Sequence, residues 1–284
     1  MDLSSIKTIG VVGAGTMGSG IAQIAAMAGY TTKLFDINAD AVKKAEQVII
    51  KNLEKGIEKG KVSAEQKEEA LSNLSFSNEL TDLEADFIIE AVIEKLEVKH
   101  DIFSQLEDVN SKQTILATNT SSIPITQIAA KLKRPQNLVG MHFFNPAHIM
   151  KLVEVISGAS TNSEVAAVTK ELAEKLGKKA VMAKDSPGFI VNRVARHFYV
   201  EGLKIAEEGV ADFEQIDRLI ESSGFKMGPF RLMDLIGVDT NFSVTTSMFE
   251  SFYYDAKFRP SRIQQQKVDA GHHGRKSGRG FYEY

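Results

Sequence analysis

Near its start the chain reads Gly13-Ala14-Gly15-Thr16-Met17-Gly18, and the setting of this glycine run constrains the fold more than any other feature. The apolar run Ile9–Val12 precedes it and the helix-forming stretch Ser19–Ala28 follows, so the glycines fall at a strand-to-helix turn. At such a turn Gly13 makes the tight bend, Gly15 lets the backbone approach a pyrophosphate, and Gly18 allows close packing of helix on strand. The helix opening at Thr16 and Met17 would face the phosphates with unpaired N–H groups and a favourable dipole. Asp36 ends the next strand about 20 residues on, where a carboxylate can accept from both ribose hydroxyls. Its competing role is a plain N-cap ahead of Ala39–Lys44. An acid there repels a 2′-phosphate and no Arg lies nearby, so the cofactor expected is NAD. Lys33, the only local cation, should point elsewhere along its strand.

From Lys7 to about Ala183 short apolar runs alternate with helix-period segments. The runs are Ile9–Val12, Lys33–Phe35, Phe87–Ile89, Thr114–Ala117, Leu138–Met141, Leu152–Ile156 and Ala180–Ala183; the segments include Ile21–Ala28, Ala41–Lys59, Val98–Leu106 and Val165–Leu176. That alternation predicts an α/β domain, Rossmann-type, with a mostly parallel sheet. After Pro187-Gly188 the pattern turns helical, with segments expected at Phe189–Glu208, Phe213–Ser222 and Leu232–Phe252. The domains expected are therefore 1–186 and a smaller all-α domain, 187–284. The basic, glycine-rich stretch Gly274–Gly280 reads as a frayed end.

Composition removes several classes of function. With no cysteine, there is no disulfide, no thiolate nucleophile and no Cys-ligated metal site, and no metal site of any kind is expected. A net charge of −3, from 34 basic and 37 acidic residues, lacks the footprint of a nucleic-acid binder. No apolar run approaches the ~18 residues of a membrane span, and no basic leader precedes the first strand. A cytoplasmic protein that works on neither nucleic acid nor membrane is expected.

Several polar residues stand just after strands: Glu94, then Asn119 and Ser121, then His142. In an open parallel sheet ligands bind beyond the carboxyl ends of the strands. A dehydrogenase acting on a hydroxyl needs a group titrating near neutrality to move the alcohol proton. His142, in Gly140-Met141-His142-Phe143-Phe144-Asn145-Pro146, stands at such a strand end. Alone it could equally be a histidine packed on Phe143 and Phe144. Alternation in Lys151–Ile156, however, puts Glu154 on one face with Leu152 and Ile156. A carboxylate on an apolar face needs a partner, and a neighbouring imidazole would serve, oriented by Glu154 and stabilised when protonated. The alternative is an edge strand whose second face is wet.

Taken in order, Gly13–Gly18, Asn119-Thr120-Ser121-Ser122, His142–Pro146, Lys151–Glu154 and Ser186–Arg193 resemble the 3-hydroxyacyl-CoA dehydrogenase family, a likeness running from Lys7 to Tyr282. The short chain, with no fused hydratase, is similar to stand-alone members acting on short acyl chains such as 3-hydroxybutyryl-CoA. The resemblance implies that His142 is the general base in oxidation and the acid in reduction, paired to Glu154. It implies that Ser121 and Asn192 bond the substrate oxygen or nearby groups, Ser121 also lying near the nicotinamide, and that Asn145 lies beside both ligands. Glu94 and Lys99 would contact the cofactor, and Lys276 of the basic tail would reach it as well. CoA contacts fall on the helix from Ala41, around Asn52 and Lys59. There Lys51, Lys55 and Lys59 form an i, i+4 stripe that a phosphate-rich ligand would relieve, although Glu54 and Glu58 could make it an ordinary solvated face. The second domain would form a homodimer and close over the site. Its Phe189, Ile190, Phe198, Phe230, Leu232, Met233, Leu235, Phe249, Phe252 and Tyr253 are more apolar surface than short helices need. Two other readings stand beside this one: a dehydrogenase of a free hydroxy acid, which would need an Arg or Lys for the carboxylate, and a non-enzymatic, crystallin-like relative.

Overall fold

The structure, a computed structural model, describes residues 2–284, and the chain divides into two compact units, Met1–Ser186 and Pro187–Tyr284. The first runs β1 (Thr8–Val12), α1 (Thr16–Met27), β2 (Thr31–Phe35), α2 (Ala39–Glu58), α3 (Ala64–Ser72), β3 (Leu74–Ser77), β4 (Phe87–Glu90), α4 (Leu96–Val109) and β5 (Ile115–Thr118). It continues through α5 (Ile125–Ala129), β6 (Leu138–Phe143), β7 (Leu152–Ser157), α6 (Ser163–Lys175) and β8 (Lys179–Lys184).

The strands form one sheet in the order β3-β2-β1-β4-β5-β6-β7-β8. β4, β5 and β6 are buried at every residue, which is why they read as unbroken apolar runs, helices covering both faces. All pairings are parallel except β6 with β7, where His142 stands opposite Glu154. β7 is interior, flanked by β6 and β8, and Glu154 is 1% exposed, so the wet-edge alternative for this strand fails.

Elements that escaped the sequence reading include β3 and α3, besides the short helices α5 and, in the second unit, Arg262–Asp269. β3 alternates Leu74 and Phe76 with serines; as a half-exposed edge strand it needs little apolar surface. α3 is short, but its start is marked by a capping box in which Ser63 and Gln66 satisfy each other's backbone N–H groups.

The second unit holds five α-helices among its described residues: α7 (Val191–Glu207), α8 (Phe213–Ser222), α9 (Pro229–Ile236), α10 (Val238–Ser251) and α11 (Arg262–Asp269). α7 starts later than expected because Phe189 has φ +49°. The helical pattern expected over Leu232–Phe252 is divided into two helices at Gly237, whose φ of +107° no helix accepts. Phe213, Phe230 and Phe281 form an aromatic core with ring centroids 4.6 to 5.1 Å apart. Phe281 lies past the glycine-rich stretch, so that stretch is not a frayed end. Asp234, 1% exposed, accepts the N–H groups of Phe281 and Tyr282, both at 2.9 Å, and Tyr282 donates its hydroxyl to Asp217 at 2.8 Å. The apolar surplus is also distributed differently from the expectation. Phe189, Phe230 and Met233 are buried, while Val194, Leu219 and Tyr253 are 70%, 72% and 93% exposed.

Candidate active site

The turn after β1 has no room for side chains at two of its glycines. A Cβ on Gly13, at φ +101°, would sit 2.7 Å from the Ala91 carbonyl oxygen, and one on Gly18 would sit 1.7 Å from that of Gly13. Around Gly15 nothing beyond the neighbouring residues of the turn lies within 4 Å of such a Cβ, which is the room a pyrophosphate needs. α1 has no side-chain cap at its N-terminus, so its first N–H groups are available to an anion. Asp36 is not the N-cap of α2, a task taken by Asn38. Instead one Asp36 oxygen accepts the Ala14 N–H at 2.8 Å, tying the end of β2 to the glycine turn. Beside it opens a cavity of about 430 Å³ whose wall is mostly apolar, with Val12, Ile37, Val92, Val98 and Ile102, and whose polar groups include Asp36, Glu79 and Asp101. An adenosine has that character, and the residues present fit NAD. Lys33 points away, donating to the Asp82 carbonyl.

At the ends of β4 and β5 lies a group of buried charges. Glu90, fully buried, accepts from Lys99 Nζ at 2.6 Å, from the Val92 N–H at 2.8 Å and from the Thr118 hydroxyl at 2.6 Å. Lys99, 1% exposed, also lies 3.3 Å from Glu94. The other Glu94 oxygen accepts from the Thr120 hydroxyl at 2.6 Å and from the N–H groups of Ser121 and Ser122 at 2.8 and 3.0 Å. Burial alone would raise the Glu94 pKa, but the Lys99 charge and these donors outweigh it and hold the carboxyl below its ordinary value. Lys99 thus reaches the site through two carboxylates, and not by an exposed ammonium.

The ends of β5 and β6 are joined by Asn119, whose side-chain oxygen accepts the Phe143 N–H at 2.8 Å. One residue before Phe143, His142 Nδ1 lies 2.8 Å from Glu154 Oε2, the two side chains 7% and 1% exposed. With Nδ1–H given to the carboxylate, Nε2 is the nitrogen placed to exchange a proton. Beyond His142 the connection 144–151 carries the exposed Asn145 and the cis bond to Pro146. Two features seat this connection. Gly20 of α1 lets Ala147 approach to 3.1 Å of where a Cβ would be, and Lys178 donates its buried ammonium to the carbonyls of Ala147 and Met150 at 2.5 and 2.9 Å.

The first unit therefore brings Gly13–Gly18, Asp36, Glu94, Lys99, Asn119, Ser121, His142, Asn145 and Glu154 to the carboxyl end of its sheet. Asn52 and Lys59 stand on or beside α2, where Asn52 donates to Gln23 at 3.2 Å and Lys59 is exposed. Glu54 pairs with Lys67 of α3 at 2.9 Å, which leaves Lys51, Lys55 and Lys59 without an ion pair among the described residues. Asn192, on the first turn of α7, and Lys276, 2.7 Å from Asp239, belong to the second unit. Sequence reasoning missed Glu90, Thr118 and Lys178. The one visible signal was a glutamate closing the apolar run Phe87–Glu90.

Two family models match the chain end to end: the NAD binding domain of 3-hydroxyacyl-CoA dehydrogenase over residues 8–186, and its C-terminal domain over 188–284. A probable 3-hydroxybutyryl-CoA dehydrogenase of Bacillus subtilis is 44% identical over 98% of both chains. The 3-hydroxyadipyl-CoA dehydrogenase of Escherichia coli is 47% identical over 99% of this chain, which spans only 59% of that relative's length. Among solved structures, the (S)-3-hydroxybutyryl-CoA dehydrogenase of Ralstonia eutropha superposes with a TM-score of 0.94 at 39% identity, covering 99% of each chain.

Proposed function

The chain belongs to the 3-hydroxyacyl-CoA dehydrogenase family, and from that premise we propose that it interconverts a short-chain (S)-3-hydroxyacyl-CoA and its 3-oxoacyl-CoA, 3-hydroxybutyryl-CoA and acetoacetyl-CoA being the pair of choice. The observation that carries the reading is the buried His142–Glu154 pair, at 2.8 Å, on the same sheet edge as the glycine turn. The first unit is an NAD-binding domain; when bound, the cofactor supplies the hydride acceptor in oxidation and the donor in reduction. The protein's share is the proton. His142 Nε2 takes it from the C3 hydroxyl in oxidation and returns it to the carbonyl oxygen in reduction. Glu154 fixes the tautomer through Nδ1 and steadies the imidazolium that forms.

Ser121 and Asn145 would hydrogen-bond the substrate beside His142, and Asn192 of the second unit would join them. Glu94 would order the Ser121 turn against the cofactor, and the family resemblance assigns Lys276 to the cofactor as well. Asn52 and Lys59 would contact the CoA half, where the unpaired lysines of α2 suit its phosphates. A free hydroxy acid would need a cation for its carboxylate, and the buried ammoniums of this unit, Lys99 and Lys178, are both committed to protein oxygens. A crystallin-like relative has no need of a buried His–Glu pair. Exposed Val194, Leu219 and Tyr253 on the second unit support a homodimer; light scattering at micromolar concentration should give twice the chain mass, and a monomer would end that assignment.

The direct test is NADH consumption with acetoacetyl-CoA, wild type beside His142→Ala. Turnover by the wild type with a loss of about 10² or more in the variant supports both reaction and mechanism. Equal turnover would remove His142 from the chemistry, and NADH binding without turnover in either protein would remove the substrate.

A further inference from the structure

We propose that Glu90 is a positioning residue which, through Lys99, holds Glu94 and so fixes the Ser121 turn at the mouth of the cofactor and substrate site. The proposal rests on the reading above in taking Glu94 and Ser121 as site residues, but its geometry is independent of which acyl-CoA is used. The contacts form a continuous run. Glu90 Oε1 to Lys99 Nζ is 2.6 Å, Lys99 Nζ to Glu94 Oε2 is 3.3 Å, and Glu94 Oε1 to the Ser121 N–H is 2.8 Å.

Each end of this run is anchored to a different strand. Glu90 is the last residue of β4, and its three side-chain donors come from α4, from the connection after β4 and, through the Thr118 hydroxyl, from β5. Its backbone carbonyl accepts the Asn119 N–H at 2.8 Å. Glu94 faces Lys99 from α4, Glu90 from β4 behind that ammonium, and, from the connection after β5, the hydroxyls of Thr120, Ser121 and Ser122 and the amides of Ser121 and Ser122. One Glu94 oxygen is therefore spent on the serine turn and the other on Lys99.

A pair as deeply buried as Glu90 and Lys99 is a weak source of stability, because desolvation offsets most of the attraction. Apolar side chains of similar size would hold β4 to α4 as well. What they would not supply is an ammonium fixed at one height, against which a partly exposed carboxylate can be held still. Glu94 is 35% exposed and sits in the short connection 91–95; with no cation behind it, it would swing toward water and take the serine amides out of register.

The test separates positioning from stability. Glu90→Gln or Lys99→Met alone strands a buried charge and should lower stability, so the decisive protein is the double variant E90Q/K99M, which leaves none. Its Tm should return close to wild type. Its NADH dissociation constant, by fluorescence titration, should remain raised about tenfold, and kcat with acetoacetyl-CoA should fall more than KM rises. The acid limb of its rate profile should move to higher pH, since Glu94 without Lys99 gains a proton more readily. Recovery of NADH affinity, kcat and the acid limb together with Tm would overturn the proposal and leave the pair as packing. Should the double variant not fold, Glu90→Asp keeps the charge balance and withdraws the carboxylate by one methylene. It should show the same changes at smaller size, and wild-type affinity and kcat in it would overturn the proposal equally. A wild type that binds NADH but ignores acetoacetyl-CoA would defeat the substrate reading while leaving the NADH titration as the test of Glu90.

Discussion

In the sheet unit two buried pairs of opposite sign stand at the carboxyl end of the sheet, Glu90 with Lys99 at the end of β4 and His142 with Glu154 across β6 and β7, while Lys178 is answered by carbonyls alone. The helical unit relies more on dipoles. Asp217 and Asp234 are each met by two backbone N–H groups and one tyrosine hydroxyl, with Arg231 Nε standing 3.9 Å from Asp217. Arg196, 2% exposed, has no carboxylate at all among the described residues; it donates to the Asn241 carbonyl and the Thr245 hydroxyl, and burial pushes its pKa down to about 10. The difference separates two uses of a buried ion. An imidazole that already faces a carboxylate finds its counterion in place when it takes up a proton. An ion answered by backbone dipoles clamps segments that have little apolar surface of their own.

The largest expected effect breaks this contrast on the sheet side. Glu154→Gln should lower kcat by about 10²-fold or more, because the imidazolium loses its counterion and the tautomer is no longer fixed. A stopped-flow or steady-state NADH assay reads it, and a change under threefold would place Glu154 with the structural carboxylates of the other unit. Next comes the helical side. Asp234→Ala leaves two buried N–H groups without acceptors and should cost about 2–4 kcal/mol of stability, seen as a clear fall in Tm with the tail becoming sensitive to protease. An unchanged Tm would mean the tail is held by its aromatic contacts alone.

The smallest effect is in pH. Burial and the neighbouring Asp217 carboxylate raise the Tyr282 pKa above its ordinary 10.0. Below that value neither folded nor unfolded chain releases the proton and stability is level. Above it the unfolded chain ionises first, so stability should fall as pH rises toward the folded value. Tyr282→Phe should be less stable by about 1 kcal/mol near pH 8, yet lose less between pH 9 and 11. Parallel curves for the two proteins would show that Tyr282 does not carry the alkaline limb.

Much of the sheet unit was legible because its signals are local. The glycine turn, Asp36 and the buried strands each declare themselves within a dozen residues, and Glu154 stands out by breaking an apolar face. His142 and Glu154 lie 12 residues apart and still could be paired from alternation. Glu90 could not be appreciated in this way, since its meaning depends on Lys99 a helix turn into α4, and Lys99 was singled out only by the family resemblance, as a cofactor contact and not as the partner of Glu90. The tail was hidden for a similar reason. Phe281 finds its acceptor on Asp234, 47 residues earlier, and glycines with basic residues carry no local sign of being docked. β3 lacked the apolar run by which its neighbours are recognised.

The antiparallel register of β6 and β7 has a consequence for how this molecule can vary. His142 meets Glu154 only because the connection 144–151 returns the chain at the matching height. Side chains alternate along a strand, so adding or deleting one residue there, with the sheet otherwise kept, would turn Glu154 and its neighbours to the opposite face. A connection that carries exposed Asn145 and Ile149 thus behaves like a reading frame: its length is locked to the pairing of His142 with Glu154 on the two strands it joins.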